Sequence, residues 1–335
     1  MKEHYRSVEA QRPHPNRAAP GRRGLVALAT AVVAASFLAG TGVRADAART
    51  GRLGGEPIAP ARSPVAASRP RTKARPAHRI VSLSPTATEM LFAIGAGPQV
   101  IAVDDDSDYP AKAPRTTLSG LDPNVEAIAR YNPDLVVVSY EPEGFARSLR
   151  ALGVRVLLEP AATDLAGSYA QITALGKATG HDRAAAALVR RMRVEIAIAI
   201  AGAPHFSSPP TYYYELEPDL YSVTSATFVG QLLSRFGLRD IANSAKGASG
   251  GYPQLSDEYI VKADPQLILL DDTICCHQSA RTVAARPGWQ DLAAVRDDGV
   301  VPLNDDIASR WGPRVVVLAR DIEAALWRFK RHRHA

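Results

Sequence analysis

The stretch RIVSLSPTATE, residues 79–89, decides the fold. Its first half is β-rich and apolar, which predicts a short buried strand. Ser84 follows as a good N-cap, and Pro85 suits the first position of a helix. The sequence therefore passes directly from a buried strand into a helix, which is typical of an α/β protein.

The same alternation continues on both sides of one long helical region. Strands are predicted at residues 100–103, 135–138 and 154–158, with helices at 124–131 and 145–152 between them. Residues 165–201 are helical throughout, with a long run starting at His181 and Asp182. A second alternating region then gives strands at 211–216, 267–270 and 300–303, and helices at 227–236, 258–263 and 314–329. This pattern predicts two α/β lobes with central parallel sheets, joined by one long rigid helix.

A repeated phrase relates the two lobes. NPDLVVV at residues 132–138 corresponds to DPQLILL at residues 264–270. Each copy follows a short helix with an acidic residue near its start, Glu126 in the first and Glu258 in the second. The repeat predicts that the two lobes are pseudo-symmetric.

The N-terminal segment has the character of an export signal. Residues 24–43 are almost entirely apolar, Arg22 and Arg23 precede them, and small residues follow at Ala45 and Ala47. A positive region, an apolar region and a small-residue cleavage site in this order indicate a signal peptide. An uncleaved membrane anchor is the alternative, and both the general and the twin-arginine export routes stay open. Thr41 stands where a lipobox needs its cysteine, so no lipidation is expected there.

These observations divide the 335 residues into five parts. Residues 1–47 are the export signal. Residues 48–77, which are rich in Pro, Arg, Ala and Gly, form a disordered linker because they cannot bury enough apolar surface. The N-terminal lobe covers 78–180, the connecting helix 181–202 and the C-terminal lobe 203–335. The folded protein is expected to be a monomer.

Composition excludes some classes of function. The net charge of +6 comes mainly from the two ends of the chain, and no nucleic-acid recognition motif is present, so no nucleic-acid partner is expected. The two cysteines, Cys275 and Cys276, are adjacent. They fit loop thiols or a disulfide between neighbours better than a zinc site, which needs about four ligands. We therefore expect no metal site and no cofactor.

No catalytic constellation appears in the sequence. It contains no nucleophile elbow, phosphate-binding loop or dinucleotide glycine pattern, so no catalytic residue is assigned. In open α/β sheets, the loops after the strands line the ligand crevice. Asp271, Asp272, Asp305 and Asp306 follow strand ends. We expect these acids to face one cleft between the lobes, together with Ser84, Pro85, Tyr140 and Tyr252.

Several segments together resemble the helical-backbone substrate-binding proteins of ABC importers for cobalamin, haem and ferric siderophores. These segments are residues 79–89, 108–110, 124–128, 133–136, 252–256 and 310–314, and the likeness spans residues 79–327. It is greatest to the vitamin B12-binding members. The resemblance implies two docking glutamates for a permease, Glu126 and Glu258. It also implies a cleft acid and arginine, Asp306 and Arg310, and cleft aromatic residues at Tyr221 and Tyr252.

The chain departs from that family at three aromatic positions, which are occupied by Asp106, Gly120 and Ser139, with Tyr140 next to the last. The expected function is extracytoplasmic capture of a metal chelate for a membrane permease. A corrinoid such as cobalamin is favoured, and a ferric siderophore or haem is the alternative within the fold. An alternative of another class is a secreted dithiol oxidoreductase using Cys275 and Cys276.

Overall fold

The computed structural model describes residues 75–332. The predicted export signal and residues 48–74 of the predicted linker lie outside this range. Ala77, still within the predicted linker, is fully buried, and its N–H donates to the carbonyl of Ala178 at 2.8 Å. Order in the chain therefore starts before residue 78, where the predicted N-terminal lobe begins.

Five parallel strands form the sheet of the N-terminal half. They lie in the order β3-β2-β1-β4-β5. Their bounds are β1 Ile80–Leu83, β2 Val100–Asp104, β3 Arg115–Leu118, β4 Leu135–Val138 and β5 Arg155–Leu158. The helices of this half are α1 Pro85–Ala93, α2 Val125–Ala129, α3 Phe145–Ala151 and α4 Leu165–Thr179.

A second parallel sheet belongs to the C-terminal half. Its order is β7-β6-β8-β9, with β6 Thr211–Glu215, β7 Arg239–Asp240, β8 Leu267–Leu270 and β9 Val300–Pro302. Between the sheets runs α5, Asp182–Gly202. The later helices are α6 Phe228–Arg235, α7 Asp257–Ala263, α8 Ala280–Ala284, α9 Ala293–Arg296, α10 Asp305–Ala308 and α11 Val315–His332. The prediction of two α/β lobes with parallel sheets is confirmed.

The halves share one apolar core. It combines side chains from one face of each sheet with the buried stripes of α4, α5 and α11. Tyr212 and Tyr214 point into this core, whereas Tyr213 points to the opposite face of its sheet, as alternation along a strand requires. The connection between the lobes is therefore broader than the single predicted helix, because α5 packs against both α4 and α11.

The repeated phrase folds in the same way twice. Asn132 and Asp264 both take the left-handed conformation, with φ of 49° and 41°. Two residues later, Asp134 accepts a hydrogen bond from the N–H of Arg79 at 3.1 Å, and Gln266 accepts one from the N–H of Thr211 at 3.2 Å. Each copy thus fixes the start of the neighbouring strand, β1 or β6, and the pseudo-symmetry is real.

Some elements differ from the sequence prediction. Strands β3 and β7 were not predicted, because β3 reads Arg-Thr-Thr-Leu and β7 has only two residues. The short helices α8, α9 and α10 were also missed. None of the helices within residues 75–332 is long and apolar enough to cross a bilayer.

Candidate functional site

The first side of the candidate site comes from α1. Ser84 caps this helix, its hydroxyl accepting a hydrogen bond from the N–H of Ala87 at 3.3 Å, and Pro85 occupies the first turn. Glu89 then falls on the buried side of the helix, where its residue is only 3% exposed. A buried carboxylate requires a charged or hydrogen-bonding partner, and its partners lie in the other lobe.

The second side comes from the segment that follows β9. Asn304 caps α10, its side-chain oxygen accepting from the N–H of Ile307 at 3.2 Å. Asp306 lies in the first turn of this short helix, and Arg310 lies just after its end. Arg310 is 5% exposed, so its guanidinium is held inside the junction between the lobes.

Arg310 bridges the two lobes. Its Nη1 donates to Glu89 at 3.1 Å and to Asp108 at 3.0 Å, both in the N-terminal lobe. Its Nη2 donates to Asp306 of its own lobe at 3.2 Å and to the backbone carbonyl of Asp106 at 3.4 Å. Burial alone lowers the pKa of Arg310, but Glu89 and Asp108 raise it above its ordinary value, so the group stays charged.

Arg314 makes a second connection across the lobes. Its Nε and Nη2 donate to Glu89 at 2.9 and 2.6 Å, which is the forked arrangement that guanidinium and carboxylate groups favour. The guanidinium also lies 4.3 Å from the centre of the Tyr109 ring. Glu89 is therefore shared between two arginines, and the three side chains join α1 to the start of α11.

A small cavity lies beside these ion pairs. Its volume is about 40 Å³, and a cavity needs about 10–15 Å³ of this kind of volume to hold one water molecule. Ligand pockets usually measure about 300–1,000 Å³. The cleft is therefore closed at this cavity, which is too small to enclose a chelate. The lining comes from both lobes and includes Ala162, Phe228, Tyr252, Arg310 and Trp311.

Trp311 attaches the C-terminal lobe to α4. Its indole N–H donates to Gln171 at 2.7 Å, and its carbonyl accepts from the hydroxyl of Ser168 at 2.5 Å. Both partners belong to the N-terminal half. Neither Trp311 nor Gln171 was singled out from the sequence, since a single chain does not show which distant side chains meet.

The predicted ligand residues fall into two groups. Tyr252 and Arg310 line the same cavity, and Asp306 contacts Arg310; burial raises the pKa of Tyr252 above its ordinary value. Tyr140 is exposed after β4, and Tyr221 pairs with Gln254 as an isolated bridge. In the closed cleft, the structure brings together only Tyr252, Asp306 and Arg310.

Ser84 and Pro85 are both buried and form the start of α1. Their position explains the helix, because one caps it and the other begins it. Their assignment as ligand contacts stays a prediction.

Glu126 and Glu258 occupy equivalent and exposed positions. Each is the second residue of a short helix, behind the caps Asn124 and Ser256. Hydrogen bonds from the backbone N–H of Glu258 and from the Ser256 hydroxyl lower the pKa of the Glu258 carboxyl, which keeps it charged. The two helices precede β4 and β8, so each lobe presents one glutamate in the same setting.

The C-terminal lobe also holds a buried acidic cluster at the ends of its strands. Glu215 and Asp272 are fully buried. Burial and then Glu215 raise the pKa of Asp272 to about 8, while Arg286 donates to both oxygens of Glu215 at 2.6 and 2.5 Å. Asp272 was expected near the cleft, but its contacts are those of a buried structural cluster.

Asp305 fixes the loop that carries the cysteines. Its carboxylate accepts from the N–H groups of Thr273 and Cys275, both at 2.9 Å. Cys275 and Cys276 form a disulfide between neighbours, one of the arrangements left open by the sequence. Within residues 75–332, no group of His, Cys, Asp and Glu side chains is arranged to hold a metal ion.

Glu89, Asp108 and Arg314 were not predicted as site residues. Asp108 and Arg314 lie within segments that carry the family resemblance, and Glu89 is the last residue of the stretch that decides the fold. A glutamate directly before the apolar run Met90-Leu91-Phe92 is a usable signal, because such a carboxylate is buried only when it is paired. The identity of its partner still required the fold.

Comparison with known proteins gives the family. A model described as "Periplasmic binding protein" matches residues 80–307, which is well over half of the chain and includes both sheets. The chain belongs to this family. Periplasmic binding proteins bind solutes for import and are not enzymes, so the dithiol oxidoreductase alternative is set aside.

Three individual similarities accompany the family match. The ABC transporter substrate-binding lipoprotein YvrC of Bacillus subtilis is 27% identical over 89% of this chain and 96% of its own length. A cobalamin-binding protein of Halobacterium salinarum is 32% identical over 71% of this chain and 66% of its own length. The solved structure of the periplasmic haem-binding protein RhuT from Roseiflexus sp. RS-1 has a TM-score of 0.64 and 25% identity, covering 75% of this chain and 98% of that one.

Proposed function

We propose that this protein captures a metal chelate outside the cytoplasmic membrane and delivers it to an ABC permease, and that the chelate is a corrinoid such as cobalamin. The observation that carries the proposal is the 32% identity to the cobalamin-binding protein of Halobacterium salinarum over 71% of this chain. The cleft supports it chemically. Tyr252 and Arg310 line the same cavity, and a flat macrocycle with polar side arms uses aromatic and polar contacts of these kinds.

Haem is the second candidate, because the likeness to RhuT covers nearly all of that haem-binding protein. A ferric siderophore is the remaining alternative within the fold. In all three cases we propose Asp306, Arg310, Tyr252, Tyr221, Tyr140, Ser84 and Pro85 as residues of the ligand cleft. The closed junction requires the lobes to separate before a ligand of that size enters.

Delivery requires a surface for the permease, and we propose Glu126 and Glu258 for it. Both are exposed, and they take the same position in two equivalent helices. Two separated charges fix the orientation of a partner and speed the encounter more than they add affinity. A partner with two suitably spaced cationic residues fits this pair.

The remaining parts of the chain follow from this role. Residues 1–47 serve as the export signal and the linker starts at residue 48 and ends before the buried Ala77, followed by the lobes that extend to residue 180 and over 203–335 around the helix 181–202. YvrC is named a lipoprotein. This sequence has only the adjacent pair Cys275 and Cys276 and no cysteine near residue 41, so we propose an exported monomer without lipid at a lipobox.

A thermal-shift screen tests the proposed function. Cyanocobalamin, haemin and a ferric siderophore are each added to the purified protein. A ligand present at 100 times its Kd stabilises the folded state by roughly 2.7 kcal/mol, which raises the Tm of a protein of this size by about 5–11 °C. We expect the largest shift with cyanocobalamin. If no chelate changes the Tm, the proposal is wrong.

A further inference from the structure

The charges at the junction between the lobes do not balance. Two guanidinium groups, Arg310 and Arg314, lie within ion-pair distance of three carboxylates, Glu89, Asp108 and Asp306. The pairs are 2.6–3.2 Å long. When all five groups are ionised, the cluster carries one negative charge in excess.

Neither guanidinium has two free neighbouring nitrogens that could form a forked contact with an anionic ligand. Glu89 occupies two nitrogens of Arg314, and the Tyr109 ring covers a face of the same guanidinium. The two terminal nitrogens of Arg310 already donate to Glu89, Asp108 and Asp306. A ligand carboxylate that forms a forked contact with either arginine therefore has to displace a carboxylate of the protein.

Burial makes that displacement costly. The side chain of Glu89 is 1% exposed and that of Arg310 is 5% exposed. A carboxylate that loses its partner at such a site is left desolvated and without compensation. A neutral or cationic ligand requires no such exchange, because it can donate hydrogen bonds to these carboxylates or contact them as a cation.

Separation of the lobes does not change the balance. Glu89 and Asp108 belong to one lobe, whereas Asp306, Arg310 and Arg314 belong to the other. Opening would break the ion pairs between the lobes without changing the charge of any of the five groups. The opened cleft thus presents a carboxylate excess to an incoming ligand, and like charges repel.

We infer that the cleft selects chelates without net negative charge, and that Glu89 and Asp108 exclude anionic chelates. The inference rests on the proposed function, since it concerns which chelates that cleft accepts. It divides the candidate ligands, because a corrinoid such as cyanocobalamin is neutral, whereas haemin carries two propionates. Glu89 and Asp108 act here as specificity-determining residues.

Calorimetric titration of the intact protein tests the inference with four probes. Cyanocobalamin is neutral, ferrioxamine B is cationic, and haemin and ferric dicitrate are anionic. We expect the tighter of the first two to bind at least tenfold more tightly than either anionic probe. If an anionic probe binds most tightly, the charge inference is wrong and the proposed function stands. If none of the four binds, the proposed function fails and the inference fails with it.

Single substitutions test which carboxylates exclude anionic chelates. Asp108→Asn is the first choice because this side chain is 40% exposed, and Glu89→Gln is the second, more buried change. Each should reduce the ratio of cyanocobalamin affinity to haemin affinity at least fivefold. Glu195→Gln is the matched control, because Glu195 pairs with Arg320 on the exposed surface at 2.6 Å. If Asp108→Asn leaves the ratio equal to that of the control, Asp108 does not set the selectivity and the inference is overturned.

Discussion

Replacing Arg286 with Met should destabilise the C-terminal lobe strongly. Arg286 donates to both oxygens of Glu215, whose side chain is fully buried. Without the guanidinium, Glu215 is left beside Asp272 with no cation in contact. Breaking a buried ion pair by removing one partner costs about 3–5 kcal/mol. Arg286 also lies 4.5 Å from the centre of the Trp289 ring, and loss of that contact adds roughly 0.5–2 kcal/mol.

Arg320→Met is the matched control. Arg320 and Glu195 are 2.6 Å apart, nearly the same distance as Arg286 and Glu215, but the Arg320 side chain is 59% exposed. An exposed ion pair contributes roughly 0.2–1 kcal/mol. The two variants therefore compare a buried, forked ion pair with an exposed pair of nearly the same shortest distance.

Urea unfolding of the two variants and the parent provides the measurement, with the slope m checked for each protein. We expect a loss of more than about 3 kcal/mol for Arg286→Met and less than about 1 kcal/mol for Arg320→Met. Equal losses in the two variants would refute the reasoning, because burial would then not determine the contribution of an ion pair in this protein.

Three further predictions concern pH, ligand and permease. Asp272 has a pKa of about 8 in the folded protein against an ordinary value of 3.8. The stabilisation contributed by its protonated carboxyl is therefore fully present below pH 4 and is lost as the pH rises through 8. Asp272→Asn should flatten the pH dependence of the free energy of unfolding, measured in urea, between pH 5 and 8, where one proton contributes up to about 1.4 kcal/mol per pH unit. Arg310→Ala should weaken binding of the ligand found in the thermal-shift screen by about 10- to 100-fold in calorimetry, because Glu89, Asp108 and Asp306 lose the cation that pairs with them in the cleft; an unchanged Kd contradicts its assignment to the cleft. Glu126→Arg combined with Glu258→Arg should abolish uptake in cells while ligand affinity and Tm stay unchanged, and normal uptake would end the docking proposal.

Local signals predicted most of the fold. The strand before Ser84 and the helix after Pro85 lie where the sequence placed them. The repeated phrase predicted equivalent lobes, and Asn132 and Asp264 show why it works, since each turns the chain into the next strand with a positive φ. These features depend on neighbours in the chain, so the sequence displays them directly.

Only part of the candidate site could be predicted, because the signals that the sequence displays are local. Arg310 and Asp306 were found through the family resemblance, but Glu89 lies 221 residues from Arg310. A contact over that separation depends on how the two lobes pack against each other. Strand β3 was missed for a related reason. It lies at the edge of its sheet, with three of its four residues outside the core, so it lacks the apolar run of a central strand.

Ionic strength should affect the exposed and the buried carboxylates of this protein differently. Mobile ions screen exposed charges over about 8 Å at physiological salt, and over about 3 Å at 1 M. Glu126 and Glu258 stand in that solvent, whereas Glu89 is enclosed between Arg310 and Arg314. Concentrated salt should therefore slow the encounter with a membrane partner while leaving the ion pairs between the lobes almost unaffected. With the proposed roles of these carboxylates, capture and hand-over become separable steps in a saline titration.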